Sequence, residues 1–123
     1  MKPAEFRRLV ERDGRCLHCG ELEAVSPNHR ANRGMGGSKK RDRPANLVLI
    51  CSWLNGLIES DNSAAIIAHR YGWKLRSYED PEVVPVYDRV AGKWYLLDDD
   101  YRRVEIPNPN SLLNSEGSKE RSL

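Results

Sequence analysis

The apolar positions change period twice along the chain, and each change marks an element. In residues 3–13, Phe6, Leu9 and Val10 stand at i, i+3, i+4 spacing, which predicts an N-terminal helix with Pro3 in its first turn and Gly14 as its stop. Residues 22–28 are short and mixed and read as a strand. The next stretch, ANRGMGGSKKRDRPA, has three glycines, a proline and no period, so it is read as a long loop of the kind that is usually functional or disordered. Asn46 then opens the run NLVLIC, short and β-branched enough for a buried strand, and it leads into a helix over SWLNGLIES, residues 52–60, in which Gly56 is the weak point. Asp61 or Asn62 caps a further helix to Tyr71, with Ala65, Ile66 and His69 on one face and Gly72 at its end.

Beyond Gly72 the pattern turns to strands. WKLRSY, VPVYDRV and KWYLLD are strand-like, the last two joined across Ala91–Gly92 as a hairpin, and RRVEI adds a fourth. Trp53, Trp73 and Trp94 each fall in a structured segment and are read as core residues. The segment 107–123, rich in Asn, Ser, Pro and charge, reads as a disordered tail. The expectation is an α+β fold, one domain over 1–106 with its core at 13–60 and a β-rich extension at 73–106.

Composition supports one core. The 123 residues, 39% hydrophobic and 31% charged, suit a globular chain, with no apolar run long enough for a membrane span and no apolar core of a secretory signal. A cytoplasmic location is expected. The net charge of +2 conceals an asymmetry: residues 28–46 hold six basic residues against the single acid Asp42, a balance of +5, whereas residues 79–105 hold four against eight, a balance of −4. A concentrated basic stretch favours a phosphate-bearing partner, although a solvated loop has the same composition.

Three cysteines are an odd number without an export signal, which argues against a disulfide framework. Cys16 and Cys19 form a C-x2-C turn closed by Gly20, a spacing that lets two thiolates face one ion.

In order, the chain presents this C-x2-C turn, Asn28-His29 at a strand end, a basic Gly-rich loop, Asn46 before an apolar run to Cys51, and then Asn55 and Glu59. The core NHRANRGMGG, NLVLIC, NGLIES resembles the HNH endonuclease family over roughly residues 13–60, in the form found among tailed bacteriophages. The resemblance implies a ββα-metal core, in which two strands and a helix surround a divalent ion. It makes His29 the general base, a task suited to a side chain whose unperturbed pKa is about 6.5. Asn46 is then the residue that pins the loop and orients the base. Asn28 and Asn55 fall where the family holds metal ligands, and Glu59, four residues after Asn55, would share a helix face with it. Such an oxygen-rich set suits Mg2+ or Mn2+. Two neutral amides among three ligands imply weak metal affinity.

Relatives with the C-x2-C turn supply a second cysteine pair. Here Cys51 is its first member and Leu54 stands where the next would be, so a structural zinc held by Cys16, Cys19 and Cys51 lacks a fourth ligand, with His18 and His69 as the remaining candidates. Arg30, Arg33, Lys39, Lys40, Arg41 and Arg43 are assigned to DNA phosphate, and the acidic extension is expected to point away from it or to bind a partner. The reading is a metal-dependent DNA endonuclease, phage-encoded and active in the host cytoplasm beside packaging or recombination proteins. The alternatives are a DNA-binding module without catalysis and a metal-stapled interaction domain.

Overall fold

The computed structural model describes residues 1–32 and 39–109. The fold is mixed α+β, with three helices and two small antiparallel sheets among the described residues. Helix α1 (Pro3–Asp13) begins where the Lys2 N–H donates to the Glu5 carboxylate at 3.0 Å and ends where the N–H of Gly14, at φ 80°, donates to the Val10 carbonyl. Strands β1 (Val25–His29) and β2 (Leu47–Cys51) pair antiparallel, from Val25 opposite Cys51 to His29 opposite Leu47. The connection between them carries two 3-10 turns, Lys39–Asp42 and Pro44–Asn46.

All five β2 residues are buried, and the pleat explains why the run is uniformly apolar. Successive side chains point to opposite faces. Leu47 and Leu49 pack with Leu9 of α1, while Val48 and Ile50 join Leu54, Ile58, Trp73, Val86 and Leu97 on the other side. Because each apolar side chain taken fully from water contributes roughly 1.5–3 kcal/mol, this doubly covered strand is the axis of the fold. Buried Asp13 anchors it from α1, accepting from the Leu49 N–H at 3.0 Å and from Arg12 at 2.7 Å, and Arg12 in turn donates to the carbonyls of Pro44 and Leu47.

Helix α2 (Ser52–Ser60) follows β2 without a linker, and α3 (Asn62–Arg70) starts where the Asp61 carboxylate accepts from the N–H groups of Ser63 and Ala64. The buried position on α3 is Ala68, flanked by partly buried Ile67, and Ile66 faces solvent, so the expected face of Ala65, Ile66 and His69 is rotated. Gly72 ends this segment at φ 75°, where a Cβ would lie 2.0 Å from the Pro85 carbonyl oxygen, and only glycine fits. Strands β3 (Val86–Asp88), β4 (Lys93–Leu97) and β5 (Arg103–Ile106) form the expected meander, in the order β3-β4-β5.

Two other expectations fail. Residues 73–78 do not form a strand: Leu75 makes one isolated parallel bridge with Ala31 and the chain then turns. Trp73 and Trp94 are buried, but Trp53 is 66% exposed, because Leu54 and Ile58 supply the inward face of α2. Among the described residues, no helix is long and apolar enough to cross a membrane. Most of the expected tail, residues 110–123, lies outside the described residues.

Candidate functional site

His29 is the last residue of β1. Directly opposed residues share a face of an antiparallel pair, so His29 stands with Leu47 on the α1 side of the hairpin. There it lines a cavity of about 570 Å³ with Lys2, Glu5, Pro27, Asp42 and Tyr101. Its Nε2 lies 2.8 Å from Asp42 Oδ1, at the end of the first 3-10 turn. Sequence reasoning counted Asp42 only as the lone acid of the basic stretch. That isolation was the available signal.

Asn46 is buried and fastens the loop at both ends. Its Oδ1 accepts from the Ala31 N–H at 2.9 Å, and its Nδ2 donates to the carbonyls of Ala31 at 3.0 Å and Arg41 at 2.8 Å. Its own carbonyl accepts from the Arg30 N–H at 2.7 Å. The segments after His29 and before Asp42 are therefore held by one side chain, which fixes the two partners of the pair relative to each other.

Asn28 pairs with Val48 and so faces the opposite side of the hairpin from His29, the side on which α2 packs. Asn55 is half-buried on α2, and exposed Glu59 pairs with Lys74 at 3.6 Å. The amide and carboxylate set and the His29–Asp42 pair thus leave the hairpin from opposite faces.

The basic stretch is less free than its composition implies. Arg30 is fully buried, and its guanidinium donates to the carbonyls of Gly72, Ala45, Pro81 and Val84 at 2.7–3.0 Å. Burial first, then nearby Arg12, brings its pKa down to about 9, which leaves it charged at neutral pH. Its donors are committed to the main chain, so the assignment to DNA phosphate is corrected to that of an internal brace. Arg43 is engaged by Asp99 at 2.9 Å, by Glu82 and, at 3.8 Å, by Asp80, while Arg41 donates to the Ser77 carbonyl. The acidic extension consequently sits against the basic stretch instead of pointing away. Arg33 lies outside the described residues, and Lys39 and Lys40 are described only as backbone of the first 3-10 turn.

The second cluster is formed by thiols. The Sγ atoms of Cys16, Cys19 and Cys51 lie within 4.8 Å of one another, the only such group of three or more His, Cys, Asp or Glu side chains among the described residues. Cys19 and Cys51 are 3.7 Å apart. A tetrahedral zinc with Zn–S bonds of about 2.3 Å needs sulfur separations of roughly 3.8 Å, so the spacing fits that ion. Gly20, at φ 82°, closes the turn by donating to the Cys16 carbonyl, and the N–H groups of Cys51 and Leu54 point at the sulfurs of Cys16 and Cys51. Burial pushes the Cys16 thiol up, but the N–H groups of Cys19, His18 and Cys51 outweigh it and its pKa is lowered. Burial raises Cys19 to about 11. Neither candidate fourth ligand belongs to the cluster. His18 lies edge-on to Trp73 at 5.5 Å, and His69 Nδ1 stands 3.4 Å from Arg76. Leu54 fills its own position as a buried apolar residue.

The chain matches no protein-family model, no curated protein and no solved structure.

Proposed function

We propose that the protein is a metal-dependent DNA endonuclease of the HNH kind, a phosphodiester hydrolase that nicks or cleaves DNA. The observation that carries this reading is the His29–Asp42 pair at the rim of a cavity, fixed by Asn46. With Asp42 accepting from Nε2–H, Nδ1 is the basic nitrogen. It takes a proton from water, the hydroxide attacks phosphorus, one P–O bond forms, and the bond to the 3′ oxygen breaks, that oxygen taking a proton from solvent. The resemblance would give a divalent ion to Asn28, Asn55 and Glu59, but Asn28 leaves the hairpin on the face opposite His29, so this set does not fit an ion at the phosphate that His29 serves, and no step is derived through it.

A second reading, a DNA-binding module with little or no catalysis, is favoured by the opposite-face arrangement of Asn28 and His29. Supercoiled plasmid incubated with the protein and magnesium or manganese separates the two. The endonuclease nicks it, and His29→Ala or a chelator abolishes the nicking. Equal inactivity of parent and His29→Ala, with DNA binding intact in both, leaves the module.

A further inference from the structure

The thiol turn contains a buried polar atom with no partner. Nδ1 of His18 is shielded from solvent and makes no hydrogen bond, alone in this among the buried side-chain nitrogens and oxygens of the described residues. A buried polar atom left unpaired costs roughly 1–3 kcal/mol, so it calls for a partner from outside the chain, a water or an ion. A buried water needs two to four polar partners of its own. An ion needs donors, and those are adjacent.

His18 stands between Cys16 and Cys19, and its N–H is directed at the Cys16 sulfur. The sulfurs of Cys16, Cys19 and Cys51 lie within 4.8 Å of one another, and a zinc ion on three thiolates takes one more donor. Of the two ring nitrogens, Nδ1 is the nearer to the main chain, the one that a histidine beside a cysteine ligand can turn onto the same ion. As the turn stands, the ring packs edge-on to Trp73 at 5.5 Å and 6.4 Å from Trp53, outside the group of sulfurs. Reaching the ion is therefore a rotation of the side chain on a main chain that is held. The Leu17 N–H donates to the Leu49 carbonyl at 3.1 Å, and the carbonyls of Leu17 and His18 accept from the Arg89 N–H at 2.8 Å and its guanidinium at 3.1 Å. That guanidinium also sets a positive charge beside a site in which three thiolates and a divalent ion carry one net negative charge.

We propose that His18 Nδ1 is the fourth ligand of a zinc ion held by Cys16, Cys19 and Cys51. The three thiols give their protons to solvent, the imidazole binds neutral with its proton on Nε2, and no electron moves. The ion ties the turn after α1 to the junction of β2 and α2. This site is separate from the His29 pair and does not depend on the nuclease reading.

The full chain without added histidines, reduced with a phosphine and loaded with zinc alone, tests this by X-ray absorption at the zinc edge. One zinc per chain is expected, with three sulfurs at about 2.3 Å, one nitrogen at about 2.0–2.1 Å and the more distant scattering of one imidazole ring. His18→Gln should keep the three sulfurs, lose the imidazole scattering and give up zinc to a chelator at least about tenfold more readily. His69→Gln should change neither. A chain that takes up no zinc overturns the proposal, as does imidazole scattering that survives in His18→Gln. Three sulfurs with an oxygen and no imidazole would leave Nδ1 to a water, and four sulfurs would bring in a second chain; either overturns it. The parent spectrum alone reads the donor set, so the proposal can fail even where a variant does not fold.

Discussion

Asn46 grips both main-chain groups of Ala31, accepting from its N–H at 2.9 Å and donating to its carbonyl at 3.0 Å. The same amide reaches the Arg41 carbonyl, so replacing it acts on His29 and Asp42 together. Asn46→Asp keeps the shape but turns a carboxylate towards two buried carbonyls. We expect a loss of roughly 2–4 kcal/mol in urea unfolding, since an unmade buried hydrogen bond leaves the full desolvation penalty. Under the proposed endonuclease reading, nicking should fall in kcat more than in KM, because the disturbed element would be the orientation of His29.

This relationship was half legible in the sequence. The resemblance to the HNH family implied Asn46 as the pin, but nothing local revealed that Asp42 would meet His29. That contact depends on a 3-10 turn inside a segment with no period. Arg30 misled for a related reason. It belongs to a basic stretch by composition, and its burial follows from carbonyls up to 54 residues away, at Gly72, Pro81 and Val84.

Arg30 as a brace and Arg30 as a phosphate ligand differ in what they do to salt dependence. Arg30→Lys retains the charge and loses the planar fork that serves four carbonyls. Unfolding experiments should show a loss of about 2–4 kcal/mol. Arg30→Met, measured under conditions where it remains folded, should leave the slope of log affinity against log salt for duplex DNA unchanged. A slope reduced by about 0.9 would return Arg30 to the phosphate-binding set.

The tryptophans separate by register. Trp73 is buried and donates from Nε1 to the Tyr87 carbonyl at 2.7 Å, whereas Trp53 is exposed. Trp73→Ala is expected to cost about 3–5 kcal/mol and Trp53→Ala less than about 0.5 kcal/mol, read from paired denaturant curves. Composition could not distinguish them, since both lie in apolar segments. The i, i+4 pair Leu54 and Ile58 was visible in the sequence, and it excludes Trp53 from the inward face. Residues 73–78 show the reverse limit: they alternate as a strand would, yet among the described residues only Ala31 bridges to them.

The turn between β4 and β5 should make stability depend on acid. Asp98 accepts from the N–H groups of Asp100 and Arg102 at 2.8 and 3.1 Å and from the Arg102 guanidinium at 3.0 Å. Slight burial pushes its carboxyl up, and these donors outweigh it, so the pKa lies below the ordinary 3.8. As pH falls, the unfolded chain takes up this proton first. The stabilisation is therefore present above pH 3.8 and disappears as the pH drops through the lower folded value. Asp98→Asn should flatten that acid limb in thermal melts and destabilise the turn that holds Tyr101 at φ 59°.

Asp99 ties Arg43 of the basic stretch to the C-terminal extension. Its carboxylate holds the Arg43 guanidinium at 2.9 Å and accepts from the Ala45 N–H at 3.1 Å, with Glu82 on the same guanidinium. Exposed pairs of this sort contribute about 0–1 kcal/mol each, so Asp99→Asn should change stability by less than about 1 kcal/mol. The amide can still accept from Ala45, while Arg43 loses a charge partner. If Arg43 then meets phosphate, DNA affinity at low salt rises and the salt slope steepens by about 0.9. Asp99→Asn combined with Glu82→Gln should show the larger effect, because both carboxylates of the clamp are then neutral. An unchanged slope in the double variant would mean that Arg43 remains part of the scaffold and that DNA is drawn by other cations of the stretch.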